Sequence, residues 1–432
     1  MRAHRIEIKN FRGIKKASVF LPQHGVLIGD NNSGKTTILE ALDLVLGPDR
    51  LNRQPPVDEH DFFRGQYTAK PVGSDPGVKS TNASGNTVEE HAAQVPQTAE
   101  FAVGLPKIEI EVTLAHLTEE QRARFGDYVE FWDSATDTLY DQPDPAGVDS
   151  TGITEALRIT FHGWYDKEVD DFEGRTYFTR SLTESEHPVM FSKRDKQVCG
   201  FLYLRSLRTG SRALSLERGS LLDIILRLKE VKPRMWEDMI GSLSEIAVAS
   251  RPELGLSPVL ETINASLMKY VPKEWGVGPL LKVSTLTREH LRKVITAFIS
   301  TGGGDHTAPF YRQGTGTINM LVLAMLSQIA EGKQSIVFAM EEPETAIPPY
   351  AQKRIVHEVR KLASQTLFTS HSPYVLEEFA TDETVVLGRD TSGILALKSI
   401  ALPDNVKLKR YRQEFRTRFC EGLLARRGLV AE

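Results

Sequence analysis

Gly29-Asp30-Asn31-Asn32-Ser33-Gly34-Lys35-Thr36 follows a short apolar run, Val26-Leu27-Ile28. It leads into Thr36–Leu46, where Ile38, Leu39, Leu42, Val45 and Leu46 recur at helical spacing and Gly47-Pro48 ends the pattern. The octapeptide fits G-x-x-x-x-G-K-[ST], placed between a strand and a helix as that motif requires. Each residue type has a physical reason. The glycines, Gly29 and Gly34, let backbone N–H groups of Asn31, Asn32, Ser33 and their neighbours turn inward around an anion. A helix starting near Gly34 adds its positive end, with Thr36 and Thr37 in its first turn. Lys35 puts a compact charge on the outer phosphates of ATP, and the Thr36 hydroxyl is a hard oxygen ligand for Mg²⁺.

A second acidic signal lies downstream. Ile336-Val337-Phe338-Ala339-Met340 runs into Glu341-Glu342-Pro343-Glu344, an apolar strand ending in adjacent carboxylates. This is the Walker B arrangement. Glu341 is expected to hold Mg²⁺, directly or through water, and Glu342 to polarise the attacking water. The first acid of such a pair is usually Asp, and here it is Glu.

Two further stretches complete the pattern. Arg312-Gln313-Gly314-Thr315-Gly316-Thr317-Ile318-Asn319 precedes an apolar helix and stands shortly before the acidic strand. In ABC-type ATPases a glycine-rich loop at this point, here Gly314 and Gly316, faces the nucleotide bound by the other subunit. The strict LSGGQ form is absent. Thr369-Ser370-His371-Ser372-Pro373 follows an apolar strand at Thr366, so His371 is placed to hydrogen-bond a γ-phosphate and the catalytic water. No convincing glutamine loop of such enzymes is found: Gln66 is a weak candidate, and a solvated loop accounts for it better.

Around these motifs the chain alternates strands and helices. Strands are predicted at Arg5–Ile8, Val26–Ile28, Ile108–Leu114, Leu157–Phe161, Phe201–Leu204, Ser335–Met340, Thr366–Thr369, Thr384–Leu387 and Ile394–Leu397. Helices are predicted at Ile318–Ala330 and Pro349–Ala363. Between the halves, Arg212–Glu230, Met235–Val248 and Ser257–Tyr270 carry leucine and isoleucine at helical spacing, which reads as an inserted helical segment. Pro71–Glu100 is rich in Gly, Ser, Asn, Thr and Pro without periodicity and is read as a mobile loop or insertion. The domain expectation is an ATPase lobe over 1–205, a helical dimerisation segment over 206–300, a second ATPase lobe over 301–400 and a linker with the start of another domain over 401–432.

Composition narrows the function classes. The 432 residues are 40% hydrophobic and 25% charged, an ordinary globular balance spread over more than one core. No apolar run is long enough to span a bilayer, which argues against a membrane partner. Met1-Arg2-Ala3-His4 opens without an apolar h-region, so a secretory leader is not expected. Two distant cysteines, Cys199 and Cys420, exclude a disulfide scaffold and suit a cytoplasmic location. The net charge of −4 means that any nucleic-acid contact must come from local basic surface.

With the four motifs in order, the chain resembles the OLD (overcoming lysogenization defect) family of ATP-dependent endonucleases. The opening Ile6-Glu7-Ile8-Lys9-Asn10-Phe11-Arg12-Gly13-Ile14 looks like the first strand shared by OLD, RecF and SMC-type ATPases. Glu341-Glu342-Pro343-Glu344 and Ser370-His371-Ser372-Pro373 look most like OLD. The resemblance implies an α/β fold of the ABC/SMC P-loop type with an antiparallel β subdomain, acting on DNA. A homodimer is expected because the Gly314–Asn319 loop needs a partner's nucleotide to act on and the helices of Arg212–Tyr270 carry more leucine and isoleucine than an exposed helix pair should. It also implies a C-terminal TOPRIM nuclease that uses divalent metals. Gly428-Leu429-Val430-Ala431-Glu432 looks like the first strand of that domain with Glu432 as its metal ligand, whereas the later D-x-D of TOPRIM occurs nowhere in the sequence. The expectation is therefore an ATPase portion without a complete nuclease. The alternative is a stand-alone SMC- or RecF-like clamp, or a scaffold for a separate effector protein.

Overall fold

In the computed structural model, the residues described are 1–48, 55–68, 106–133, 136–205, 215–216, 220–228, 232–244, 256–267, 287–300, 307–314, 318, 321, 324–325, 328, 337–345, 348–398 and 416–424. The predicted insertion at Pro71–Glu100 lies outside them, as do Thr315–Thr317 with Gly316, and Glu432. The chain divides into two compact units, one of residues 1–206 with 334–432 and one of residues 207–333. Arg312–Asn319 therefore belongs to the second unit, together with the helical segment, and not to the acidic-strand lobe.

The first unit opens with β1 (Arg2–Phe11), β2 (Ile14–Phe20), β3 (His24–Gly29) and α1 (Lys35–Leu46). There follow β4 (Ile108–Ala115), α2 (Glu119–Phe125), β5 (Val129–Asp133), β6 (Thr138–Tyr140), β7 (Ile153–Asp166), β8 (Asp171–Phe178), α3 (Thr179–Glu184), α4 (Lys193–Cys199) and β9 (Phe201–Leu204). The second unit contains α5 (Leu221–Leu228), α6 (Lys232–Ser244), α7 (Leu256–Leu267), α8 (Arg288–Val294) and an antiparallel pair, β10 (Phe298–Ser300) with β11 (Thr307–Pro309). The first unit resumes with β12 (Val337–Glu341), α9 (Pro349–Leu362), β13 (Gln365–Thr369), α10 (Pro373–Leu376), β14 (Thr384–Arg389), β15 (Leu395–Lys398) and α11 (Arg416–Leu424).

These strands form two sheets of different character. One is antiparallel, in the order β2-β1-β4-β7-β5-β6 with β8 on β7. Its strands alternate, so Ile6, Ile8, Ile110, Val112, Leu157 and Ile159 are buried, while Glu7, Lys9, Glu109 and Glu111 lie on the opposite, more open face. The other has the order β15-β14-β3-β13-β12-β9 and is parallel except for β15. Its central strands are near-continuous apolar runs because both faces are covered; β12 and β13 are buried at every position.

Helix α1 packs against strands of both sheets. Ile38, Leu39, Ala41, Leu42, Leu44, Val45 and Leu46 are all buried, the pattern of a helix enclosed on every side. Each large aliphatic side chain buried in this way contributes about 1.5–3 kcal/mol. Polar side chains join the sheets as well. The amide of buried Gln365 accepts from Ala3 N at 2.8 Å and donates to Ala3 O at 2.7 Å and Pro22 O at 3.0 Å. It thereby acts as a strand partner at the point where the β1–β4 register shifts.

The far end of α1 rests on a buried lysine. Lys196, on α4, is fully enclosed and donates to Leu44 O at 2.7 Å, one of the last-turn carbonyls that the helix itself leaves without an N–H. Burial pushes its amine from the ordinary 10.5 down to about 7, with the Asp43 carboxylate opposing the shift. Between those two values the unfolded chain holds a proton that the folded chain does not, so stability rises with pH across that window. Wild type is expected to gain stability relative to Lys196→Met as pH rises from about 7 toward 10.5, with no such divergence below 7. Denaturant unfolding at a series of pH values checks this; parallel stability curves for the two proteins would contradict it.

In the second unit a small core forms from Leu216, Trp236 and Leu291. Beside it, Arg292 pairs with buried Asp223 at 3.4 Å and lies 5.7 Å above the Trp236 ring. No helix among the described residues is long and apolar enough to cross a membrane.

Candidate active site

All of the parallel strands point their C-terminal ends the same way, and the loops that follow them share one edge of the sheet. β3 ends at Gly29, β12 at Glu341 and β13 at Thr369, with β13 between the other two. Thr369 pairs with Leu27 on one side and Glu341 on the other. Residues separated by more than three hundred positions in sequence thus meet outside the carboxyl ends of adjacent strands, where open α/β sheets bind ligands.

The glycine-rich turn is built for close approach. Gly29 has φ 151°, and a Cβ there would stand 2.4 Å from Leu387 O. Gly34, with φ 105°, caps α1 and packs beneath Ile14 and Leu395. Asn32 is also left-handed at φ 65°, and Ser33 N closes the turn on Asp30 O at 3.1 Å. Lys35 is buried and curls back into the loop, donating to Gly29 O at 2.8 Å and Asp30 O at 2.9 Å. Burial holds its amine below the ordinary lysine value, opposed by the charges of Glu342, Asp30 and Glu344. Thr36 is exposed at the start of α1, and Thr37 is half-buried.

The Ser33 hydroxyl is buried and has no hydrogen-bond partner among the described residues. A buried hydroxyl beside the left-handed turn at Asn32 and Gly34, with the Lys35 ammonium held in the same loop, fits an anionic phosphate chain. The exposed Thr36 oxygen and the Glu341 carboxylate supply the hard donors that Mg²⁺ would take.

At the end of β12 the two glutamates have different surroundings. Glu341 is buried, and Tyr203 on the neighbouring β9 donates to its Oε1 at 2.5 Å. Burial and the adjacent carboxylate push the Tyr203 phenol far above its ordinary value, so it stays protonated. Glu342 takes a left-handed backbone, φ 42°, a conformation costing about 1–3 kcal/mol for such a residue and concentrated at functional sites. Its N–H donates to Thr369 O at 2.8 Å, which ties the turn to β13. The Thr345 hydroxyl donates to Glu342 Oε2 at 3.4 Å.

Glu344, to which the sequence assigns no role, joins the acidic loop to the histidine loop. Its Oε2 accepts from Ser370 Oγ at 2.9 Å and its Oε1 from His371 N at 2.6 Å. Ser372 Oγ in turn donates to buried Gln352 at 2.7 Å. With its backbone held this way, His371 is exposed at the sheet edge. Tyr203 and Arg12 were also missed. Arg12 bonds Asp61 at 2.8 Å and pairs with Glu40 on α1. Nothing in a single sequence marks these partners, because each depends on a strand or helix far away in the chain.

The structure thus brings Gly29–Thr37, Glu341, Glu342 and His371 to one edge. Gly314 is exposed in the second unit, where Ile318 N bonds Gly314 O at 3.2 Å. Gln66 is exposed, in a turn closed by its own N–H on Phe63 O at 3.2 Å.

The family model described as "AAA domain, putative AbiEii toxin, Type IV TA system" matches residues 26–377, from β3 through the histidine loop. The chain belongs to this family. Its fold is α/β, with the antiparallel sheet expected from the sequence beside the mainly parallel one that carries the Gly29–Thr36 loop. Among curated proteins, the chain is 51% identical over 45 residues to the uncharacterized protein YbjD of Escherichia coli. It is 46% identical over 48 residues to the uncharacterized protein Rv1278 of Mycobacterium tuberculosis. These stretches cover 10% and 11% of this chain but only 8% and 6% of the relatives, so the chain spans less than a tenth of the length of the curated proteins it matches. Among solved structures it is similar to the SMC head domain from Thermotoga maritima, at 12% identity and TM-score 0.39, covering 93% of this chain and 100% of that one. It is similar also to an SMC head bound to the C-winged helix domain of ScpA, at 12% identity and TM-score 0.43, covering 93% and 98%.

Proposed function

We propose that the chain is the ATP-hydrolysing head of an OLD-type machine acting on DNA, in which nucleotide-driven pairing of two heads gates a TOPRIM nuclease. The observation that carries the ATPase part is the shared sheet edge: the buried Lys35 loop, Glu341, Glu342 and His371 stand on three adjacent parallel strands. The OLD reading is supported by the Glu344 bonds, which join the two motifs that carry that resemblance.

In this reading the loop N–H groups of Asn31–Gly34 and the Lys35 ammonium hold the phosphates of ATP, with Thr37 completing the first helical turn. Thr36 and Glu341 hold Mg²⁺, which supplies charge neutralisation on the outer phosphates. Glu342 accepts hydrogen bonds from the attacking water and aligns it in line with the leaving oxygen. His371 adds a donor toward the γ-phosphate. Gly314 and Gly316 belong to a loop that acts on the nucleotide of a second copy. Magnesium-dependent phosphate release from ATP by the purified chain is the direct test; its absence would overturn the ATPase reading.

Pairing of heads is supported by that loop and by α7, where Val259 and Ile263, one helical turn apart, are exposed. Light scattering at tens of micromolar is expected to show a homodimer when a non-hydrolysable ATP analogue is present. A monomer both with and without the analogue would overturn this part. The clamp or scaffold alternative differs in one outcome: DNA or a separate effector protein would be bound in the ATP state with no metal-dependent cleavage. A cytoplasmic location goes with either reading.

A further inference from the structure

Glu341 occupies a position where the shorter aspartate is usual. The additional methylene adds a rotatable bond, so the carboxylate needs an external partner to keep one orientation. That partner is on the edge strand. β9 pairs in parallel with β12 through Ala339↔Tyr203 and Met340↔Leu204. From there the Tyr203 phenol reaches along the sheet to Glu341 Oε1 at 2.5 Å. The tyrosine is braced in turn. The Arg205 guanidinium lies 5.7 Å over its ring, and Arg205 Nη2 stands 3.5 Å from Glu40 Oε1. Glu40 is one helical turn beyond Thr36 on α1 and also pairs with Arg12. A connected set of side chains therefore runs from the P-loop helix, across β9, to the acid at the end of β12.

We propose that Tyr203 is a positioning residue, its hydroxyl holding the Glu341 carboxylate in the orientation that receives Mg²⁺ with ATP. This rests on the assignment of Glu341 as the metal-side acid. A phenol suits the task because it is a neutral donor. Lysine or arginine in its place would orient the carboxylate equally well but would cancel the charge that attracts the cation. Partners that orient a ligating carboxylate typically change metal affinity or activity by about 10–100-fold when removed.

The test is a Mg²⁺ titration of Tyr203→Phe, following both binding of a fluorescent ATP analogue and phosphate release. The half-saturating Mg²⁺ concentration is expected to rise about 10-fold or more. Analogue binding in EDTA should be unchanged, and turnover should recover toward wild type at high Mg²⁺. A purely structural tyrosine would instead lower the melting temperature and the EDTA binding while leaving the Mg²⁺ dependence where it was, and that result overturns the assignment. Should Tyr203→Phe fail to fold, Tyr203→Leu decides, because it fills the same strand position without a hydroxyl. It is expected to raise the Mg²⁺ requirement similarly, and an unchanged requirement overturns the proposal. In a Glu341→Asp background, where the shorter arm does not reach the phenol, Tyr203→Phe should change the Mg²⁺ requirement little; the same shift as in wild type would show that the two side chains act separately. Lys35→Ala is the control for the site itself. If Lys35→Ala still hydrolyses ATP, the whole site assignment falls and Tyr203 with it. If Lys35→Ala is inactive while Tyr203→Phe has the wild-type Mg²⁺ requirement, only the role of Tyr203 falls.

Discussion

Lys35→Ala is expected to reduce ATP hydrolysis by at least about 10²–10³-fold, the scale for removing one preorganised charge donor from a phosphoryl or acyl transition state. The size of the effect follows from where the ammonium sits. Lys35 is buried at the base of the loop, bonded to Gly29 O and Asp30 O. It is the only side-chain cation in Gly29–Thr36. Glu342 and Glu344 both act on it electrostatically, so its removal also takes away a counter-charge near those carboxylates. Alanine is compatible with the first turn of α1, so the fold should survive. Phosphate-release kinetics alongside a melting curve separate the two effects. Near-wild-type turnover by a folded variant would remove the basis for the P-loop assignment.

Glu342→Gln is expected to leave ATP binding intact and slow hydrolysis at least about 100-fold, as for loss of a positioned base. The amide is isosteric with the carboxylate. It can keep the strained left-handed backbone at φ 42° and the N–H bond to Thr369 O, neither of which uses the side-chain charge. What it loses is the ability to accept hydrogen bonds through both oxygens and to take a proton. Nucleotide binding by the variant should therefore match wild type while turnover falls, and ATP-dependent pairing should persist longer. His371→Ala should impair hydrolysis by a smaller factor. If Glu342→Gln turns over normally while Glu341→Gln does not, the two acids have exchanged roles. That outcome would also place Tyr203 beside the base and not beside the metal-side carboxylate.

The phosphate loop and the acidic strand end were legible without coordinates because each is a local pattern. The motif Gly29–Thr36 is contiguous, and its two glycines are required by backbone angles that only local geometry sets. The apolar spacing of Ile38, Leu39, Leu42, Val45 and Leu46 likewise foretold α1, observed at Lys35–Leu46. Strand Phe201–Leu204 was predicted with the bounds observed, and Thr384–Leu387 was found within the longer Thr384–Arg389. Other strands escaped notice. β2 was missed because Lys15 and Lys16 interrupt its alternation, and the short β6 because three residues carry no period. β8, Asp171–Phe178, is held by pairing along β7 more than by its own composition.

Sequence alone determined the chemistry available to this protein: a phosphate cradle, a pair of adjacent acids and a histidine, in an order that implies a P-loop ATPase. Tertiary structure decided which groups meet. The order β3-β13-β12 puts the histidine strand between the cradle and the acids, although it comes last of the three in the chain. Glu344 became a clamp on Ser370 and His371 only when the successive parallel strands β12 and β13 were placed side by side, and Tyr203 a partner of Glu341 only when β9, from a distant segment, joined them. The physical reason is that a motif of consecutive residues is constrained by its own dihedral angles. A hydrogen bond between side chains more than a hundred residues apart is constrained by strand order and register, which long-range packing sets and no local spacing encodes.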